Sequence, residues 1–225
     1  MKSSKNLNVK PKHKPKKTSK KEQLEKTVID IALDVAREGK GALFVIGNLK
    51  KGKDYVCMYP NLFEKNHMSL LKKGMGPIVK NLSGLDGAII INTDGKILAY
   101  GARIKHQKNI PGFGTRHAAA RGISNTGALA ITASEENHIV RIFKQGSIIM
   151  EINPYTKTVR KNLDKIVSIL NSPETSAMVA GALGSAFIAG AVTATAVLPG
   201  VIVFTGGYVV SRKIMDFLET LQKKR

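Results

Sequence analysis

The stretch DGAIIINTDGKILAYGARI, residues 86–104, constrains this chain more than any other. Two aliphatic runs flank Asp94-Gly95. An Asp-Gly pair between such runs is a strong hairpin signal, because the tight turn it makes needs positive φ at its centre. More strand text surrounds it. GALFVIG (41–47) is a short apolar run between glycines and reads as a buried strand, and YVCMY (55–59) reads as another. ALAITAS (128–134), HIVRIFK (138–144) and SIIMEI (147–152) follow, with Gln145-Gly146 as a tight turn between the last two.

Helical text alternates with these runs. Leu24, Val28, Ile31, Ala32 and Val35 recur at helical spacing until Gly39. The spacing predicts a helix within 65–82 broken near Gly74–Pro77, another from Thr115 to about Ser124, and a closing one from about Lys157 to Leu170. Strands interleaved with helices imply an α/β fold, a mixed central sheet flanked by helices.

Charge sets off the N-terminus. The formal charge is +20, and up to Lys26 there are ten lysines against Glu22 and Glu25. Residues 1–21 cannot bury enough apolar surface to offset their ordering entropy, so a disordered basic tail is expected. Such a tail is a solvated arm, or is drawn without specificity to nucleic acid or to an anionic membrane surface, which share one Coulombic cause. It has no apolar core of the kind a secretory signal needs. The single cysteine, Cys57, excludes an internal disulfide and a cysteine-only metal site.

The C-terminal part is the opposite. Thr175 to Ser211 holds no charged residue, and Gly181, Gly184 and Gly190 recur among alanines and serines. Small residues on one face suit close helix packing in a membrane. Residues 176–198 are long enough to span a bilayer as a helix, and Pro199-Gly200 then breaks them. The expectation is an apolar helical hairpin, either bent into a membrane from its cytoplasmic face or buried in a soluble oligomer in the cytoplasm. KIMDFLETLQKKR (213–225) reads as an amphipathic helix. The domain reading is therefore 1–21 tail, 22–171 globular domain, 172–225 apolar segment with its terminal helix.

Three stretches carry chemistry. IPGFGTRHAAARGIS (110–124) places Thr115, Arg116 and His117 where a helix begins, Thr115 reading as its N-cap. Cations there oppose the helix dipole. A bound phosphate would reconcile them, since Gly114 permits close approach and free backbone N–H groups and a guanidinium favour an anion. An ordinary helix start stays open beside that reading. Asp86, at a strand start, is a candidate metal ligand or base as well as an ordinary turn residue. SEE (134–136) adds adjacent glutamates where a strand ends. No Walker A sequence, GxGxxG or HExxH is present.

GALFVIG, DGAIII, GTRHAAA and ITASEE, in that order and spacing, resemble the diadenylate cyclase domain, the nucleotide-binding domain of DisA-like and CdaA-like proteins, over roughly residues 24–155. The resemblance implies a homodimer in which two ATP molecules meet across a symmetric interface and condense to cyclic di-AMP and two pyrophosphates, with Mn2+ or Mg2+. It implies that Asp86 binds metal and helps activate the 3′-hydroxyl, and that Glu136 lies near the metal. Gly87 and Ala88 would contact the nucleotide through backbone, Gly114, Thr115, Arg116 and His117 would hold phosphates, and Ser134 would sit beside them. The chain departs from the family's RHR at Ala118, which stands where a second arginine is expected. Loss of one preorganised donor costs about 2–4 kcal/mol in a transition state. Arg121, one turn on, is the candidate substitute. A weak cyclase, another nucleotide, or a module that binds ATP or cyclic di-AMP without turnover are the alternatives.

Overall fold

The computed structural model describes residues 18–60 and 68–172, and the backbone of 193–198 and 201–205. The first helix, α1 (Lys20–Arg37), opens on a capping box: Ser19 Oγ accepts from the Glu22 backbone N–H, and Glu22 Oε2 accepts from Ser19 N at 2.7 Å. This satisfies two otherwise orphaned donors, so the helix starts inside the segment expected to be tail. Residues 1–17 lie outside the described residues.

Strands β1 (Ala42–Ile46), β2 (Tyr55–Cys57), β3 (Ala88–Ile91), β4 (Ile97–Ile104), β5 (Leu129–Ala133), β6 (Val140–Lys144) and β7 (Ser147–Ile152) form a mixed sheet. Their order is β2-β4-β3-β1-β5-β6-β7. β1 runs parallel to β3, and the remaining neighbours are antiparallel. All five residues of β1 are buried, as expected of a central strand covered on both faces. The hairpin at Asp94-Gly95 forms as expected, and at Gln145-Gly146 both φ angles are positive, 49° and 74°.

Period-two alternation splits the apolar residues between two cores. Phe44, Ile46, Ile89, Ile91 and Ile131 pack under α1, α2 (Met75–Leu82) and α4 (Leu163–Leu170). Leu43, Val45, Ala88, Ile90, Ala130 and Phe143 pack with Ala119, Ala120 and Ile123 of α3 (Thr115–Ser124) on the opposite face. Each fully buried aliphatic side chain contributes about 1.5–3 kcal/mol.

Two expectations are corrected. Gly74–Pro77 is a helix start and not a break: Gly74 caps α2 at φ 87°, and Pro77 falls in the first turn, where its missing N–H costs nothing. In the C-terminal part, β8 (Thr193–Leu198) and β9 (Val201–Thr205) are strands where a helix was expected. They form an antiparallel pair across Pro199-Gly200, and β9 adds to β7 with Met150 opposite Val203. Runs rich in valine, threonine and isoleucine complete a sheet edge readily. The expected helices over 176–192 and 213–225 fall outside the described residues. Among the described residues no helix is long and apolar enough to cross a membrane.

Candidate active site

Because β1 and β3 are parallel, their N-terminal ends lie side by side, and the N-terminus of α3 comes to the same end. Asp86, Gly87 and Ala88 line a cleft of about 280 Å³ together with Thr115 and Arg116. Sequence alone set these segments some thirty positions apart, and the fold makes them walls of one space. Asp86 is exposed there, at the mouth. Gly87 has φ 103°, and a Cβ on it would meet the carbonyl carbon of Gly101 at 2.6 Å and Ala102 N at 2.8 Å. The DGA segment is thus pressed against the backbone of β4, and only glycine fits.

α3 spans Thr115–Ser124 as expected, but its cap lies one residue earlier than the sequence indicated. Gly114 is the N-cap, extended at φ −77° and ψ −178°, with no side chain capping the helix, and Thr115 is its first residue. The helix start therefore has no side-chain acceptor, and its first two residues, Thr115 and Arg116, both line the cleft; such a helix start can receive an anion. Arg116 lines this cleft and also a second one of about 420 Å³, bordered by Phe113, His117, Ser134, Glu136 and Arg141. Its Nη1 donates to Glu135 Oε2 at 3.2 Å, and its Nε is buried with no hydrogen-bond partner among the described residues. Gly41 makes the room: a Cβ there would run into the Arg116 guanidinium and the Glu135 carboxylate.

The predicted residues divide accordingly. Asp86, Gly87, Ala88, Thr115 and Arg116 share one cleft, while Gly114, Thr115, Arg116, His117, Ser134 and Glu136 share the other. Asp86 and Glu136, expected near one metal, line different clefts. No group of three or more His, Cys, Asp or Glu suited to a metal occurs among the described residues. Arg121 is turned elsewhere. Its Nε donates to the Gly146 carbonyl at 3.2 Å and its Nη1 to that of Asn109 at 2.9 Å, and it lines neither cleft. Ala118 itself is 5% exposed, within the helix packing.

Sequence reasoning missed Arg141. It is fully buried on β6, bonded through Nε to Glu151 Oε1 at 2.6 Å, and its Nη1 lies 3.1 Å from His117 Nε2. The available signal was an arginine inside an apolar strand, which requires a buried acidic partner.

The family model described as "DisA bacterial checkpoint controller nucleotide-binding" matches residues 31–148. The chain belongs to this family. Within the family it is 36% identical over 148 residues to a diadenylate cyclase of Methanocaldococcus jannaschii, covering 60% of this chain and 47% of that protein. It is also 36% identical over 139 residues to a diadenylate cyclase of Haloferax volcanii, covering 56% of this chain and 51% of that protein. The chain thus spans about half the length of these curated relatives. Among solved structures, a double mutant of DacA from Staphylococcus aureus superposes with a TM-score of 0.41 at 21% identity, over 68% of this chain and 97% of that one.

Proposed function

We propose that this DisA-type domain binds ATP across the two clefts and, as a pair of subunits, condenses two ATP into cyclic di-AMP and two pyrophosphates. One observation carries the reading: Arg116 borders both the DGA cleft and the His117 cleft, so one guanidinium reaches a phosphate chain laid between them. The relatives named diadenylate cyclase supply the reaction class.

In that reading, two 3′-O–Pα bonds form and two Pα–O–Pβ bonds break, pyrophosphate leaves from each nucleotide, and each hydroxyl proton passes to a base. Asp86 is the carboxylate at the DGA cleft and serves as that base or orients the hydroxyl. The backbone of Gly87 and Ala88 faces the nucleotide. Arg116, the α3 N–H groups and Thr115 hold phosphate oxygens, with Ser134 and His117 on the far wall and Glu136 at its rim. Because one chain presents each reacting nucleotide from a single side, two subunits must face each other.

A divalent ion, Mn2+ or Mg2+, fits Asp86 in one mode. One carboxylate plus substrate phosphates is an ordinary magnesium environment, and no all-protein cage is needed. When bound, the ion neutralises phosphate charge as it develops.

The test is product analysis after incubation with ATP and each metal. Cyclic di-AMP is expected from wild type and none from Asp86→Ala with an unchanged circular dichroism spectrum. Absence of product at high enzyme concentration would remove the cyclase reading. Ala118 favours a second reading, nucleotide binding without turnover, which equilibrium binding with no product would establish. Attachment to an anionic membrane or to nucleic acid through the lysine-rich tail is a separate proposal. Binding to anionic vesicles or DNA that falls with salt and disappears on deleting residues 1–21 tests it.

A further inference from the structure

Arg141 lies on β6 directly opposite Glu151 on β7, and both side chains are buried, the arginine fully. A charge so placed is strongly destabilising unless paired, and the 2.6 Å contact with Glu151 answers that demand. Neutralising the arginine does not explain where its other edge goes. Its Nη1 lies 3.1 Å from His117 Nε2 and 3.4 Å from Asn137 Oδ1, and its guanidinium carbon sits 4.9 Å from the centre of the Phe113 ring. Phe113 in turn lies 4.9 Å from the His117 ring, and Phe143 flanks that ring at 6.1 Å. The histidine is therefore held on two sides by aromatic rings and at Nε2 by a guanidinium.

Chemistry decides the proton. A guanidinium has only donors, so the His117 Nε2 facing it must accept. The imidazole is then neutral, with its proton on Nδ1. Protonating Nε2 would set two cations 3.1 Å apart in a buried place. The other charged groups around this cleft are Arg116 on the same helix, paired with Glu135, then Glu136 in the β5–β6 turn and Glu151 behind Arg141. β1 and β5, which also pack on α3, carry no charged residue.

We propose that Arg141, anchored by Glu151, is a positioning residue of the nucleotide pocket: it fixes His117 as the neutral Nδ1–H tautomer and turns the positive end of a buried ion pair toward the cleft. The inference rests on the nucleotide reading above for its consequence. It explains how the pocket keeps two guanidinium groups although position 118 is alanine and Arg121 is occupied elsewhere. The second comes from a neighbouring strand, and it is Arg141, not Glu151, that lines the cleft. His117 is then a hydrogen-bonding wall and not a cationic phosphate clamp.

The experiment is side-chain 15N NMR of the full chain from pH 5 to 8, without nucleotide. His117 should show an unprotonated Nε2 and a protonated Nδ1 throughout. Titration with a midpoint near the ordinary histidine value of about 6.5, or a proton on Nε2, overturns the proposal. The paired variant Arg141→Gln with Glu151→Gln leaves no lone buried charge. In it His117 should titrate and ATP should bind about ten-fold more weakly at pH 7.5. The ratio of the two affinities, in which titration of ATP itself cancels, should shrink as pH falls and the released histidine gains charge. Equal ATP affinity in both proteins counts against Arg141. Should wild type bind no ATP at all, the nucleotide reading fails, while the tautomer spectrum still judges the Arg141–His117 contact by itself.

Discussion

Gly87→Ala measures how tightly the DGA segment is built. The new Cβ would lie 2.6 Å from the Gly101 carbonyl carbon, 2.8 Å from Ala102 N and 2.9 Å from Ala102 O, all backbone atoms of a central hairpin. None can swing aside as a side-chain tip does. The backbone at φ 103° adds a second cost, because an L-residue held in a sparsely allowed region costs roughly 1–3 kcal/mol. Overpacking adds about 1–3 kcal/mol. A total of about 4 kcal/mol is a large share of the roughly 5–15 kcal/mol that stabilises a domain. With a urea slope of about 2 kcal/mol/M, the unfolding midpoint should fall by about 2 M. Gly76→Ala is the control. Gly76 sits in α2 with nothing within 4 Å of its missing Cβ and an ordinary φ. Its replacement should raise stability by up to about 1 kcal/mol. Urea unfolding followed by far-ultraviolet circular dichroism reads both. If Gly87→Ala lowers the midpoint by less than about 0.5 M, the claim that β4 leaves no room at Gly87 is refuted.

Gly41→Ala separates site from scaffold, because the added Cβ meets the far ends of Arg116 and Glu135, which can move. Stability should change by less than about 1 kcal/mol while ATP affinity falls about ten-fold, read by denaturation and calorimetry side by side. Glu25 is 3% exposed, and burial raises its carboxyl pKa against the opposing pull of Asn171 and Lys21. A raised carboxylate contributes stability below its ordinary value near 4.5 and loses it as pH rises through the folded value. Glu25→Gln should accordingly match wild type at pH 4 and exceed it at pH 7.5. Asp54 behaves in the opposite sense: the Lys50 backbone N–H, with help from His106, holds its pKa down against burial. Its contribution is present above the ordinary value of 3.8 and disappears as pH falls through the folded value, so the deficit of Asp54→Asn should be full at pH 7 and close in acid.

The strands, the two tight turns and α3 were legible because period-two burial and Asp-Gly or Gln-Gly chemistry are local facts, written within a few residues. The residue types of the candidate site, from Asp86 to Glu136, were legible as well. Local sequence does not say which segments meet. The parallel pairing of β1 with β3, which brings DGA beside Arg116, depends on contacts between segments some forty-five residues apart. It was the tertiary structure, too, that gave Arg121 two backbone carbonyls to hold and left it out of the clefts.

The Arg141–Glu151 pair marks the boundary most sharply. From the turn at Gln145-Gly146, Lys144 faces Ser147 and Phe143 faces Ile148, and unbroken pairing would set Arg141 against Met150. Glu151 would then point to the other face of the sheet, because one step along a strand reverses the side chain. A bulge between Ile142 and Phe143 shifts the register by one, so Arg141 meets Glu151. Sequence alone determined that a mixed sheet would form and which residue types it would carry. That single extra residue, tolerated because both β-faces must satisfy their cores at once, was decided only when the whole sheet packed.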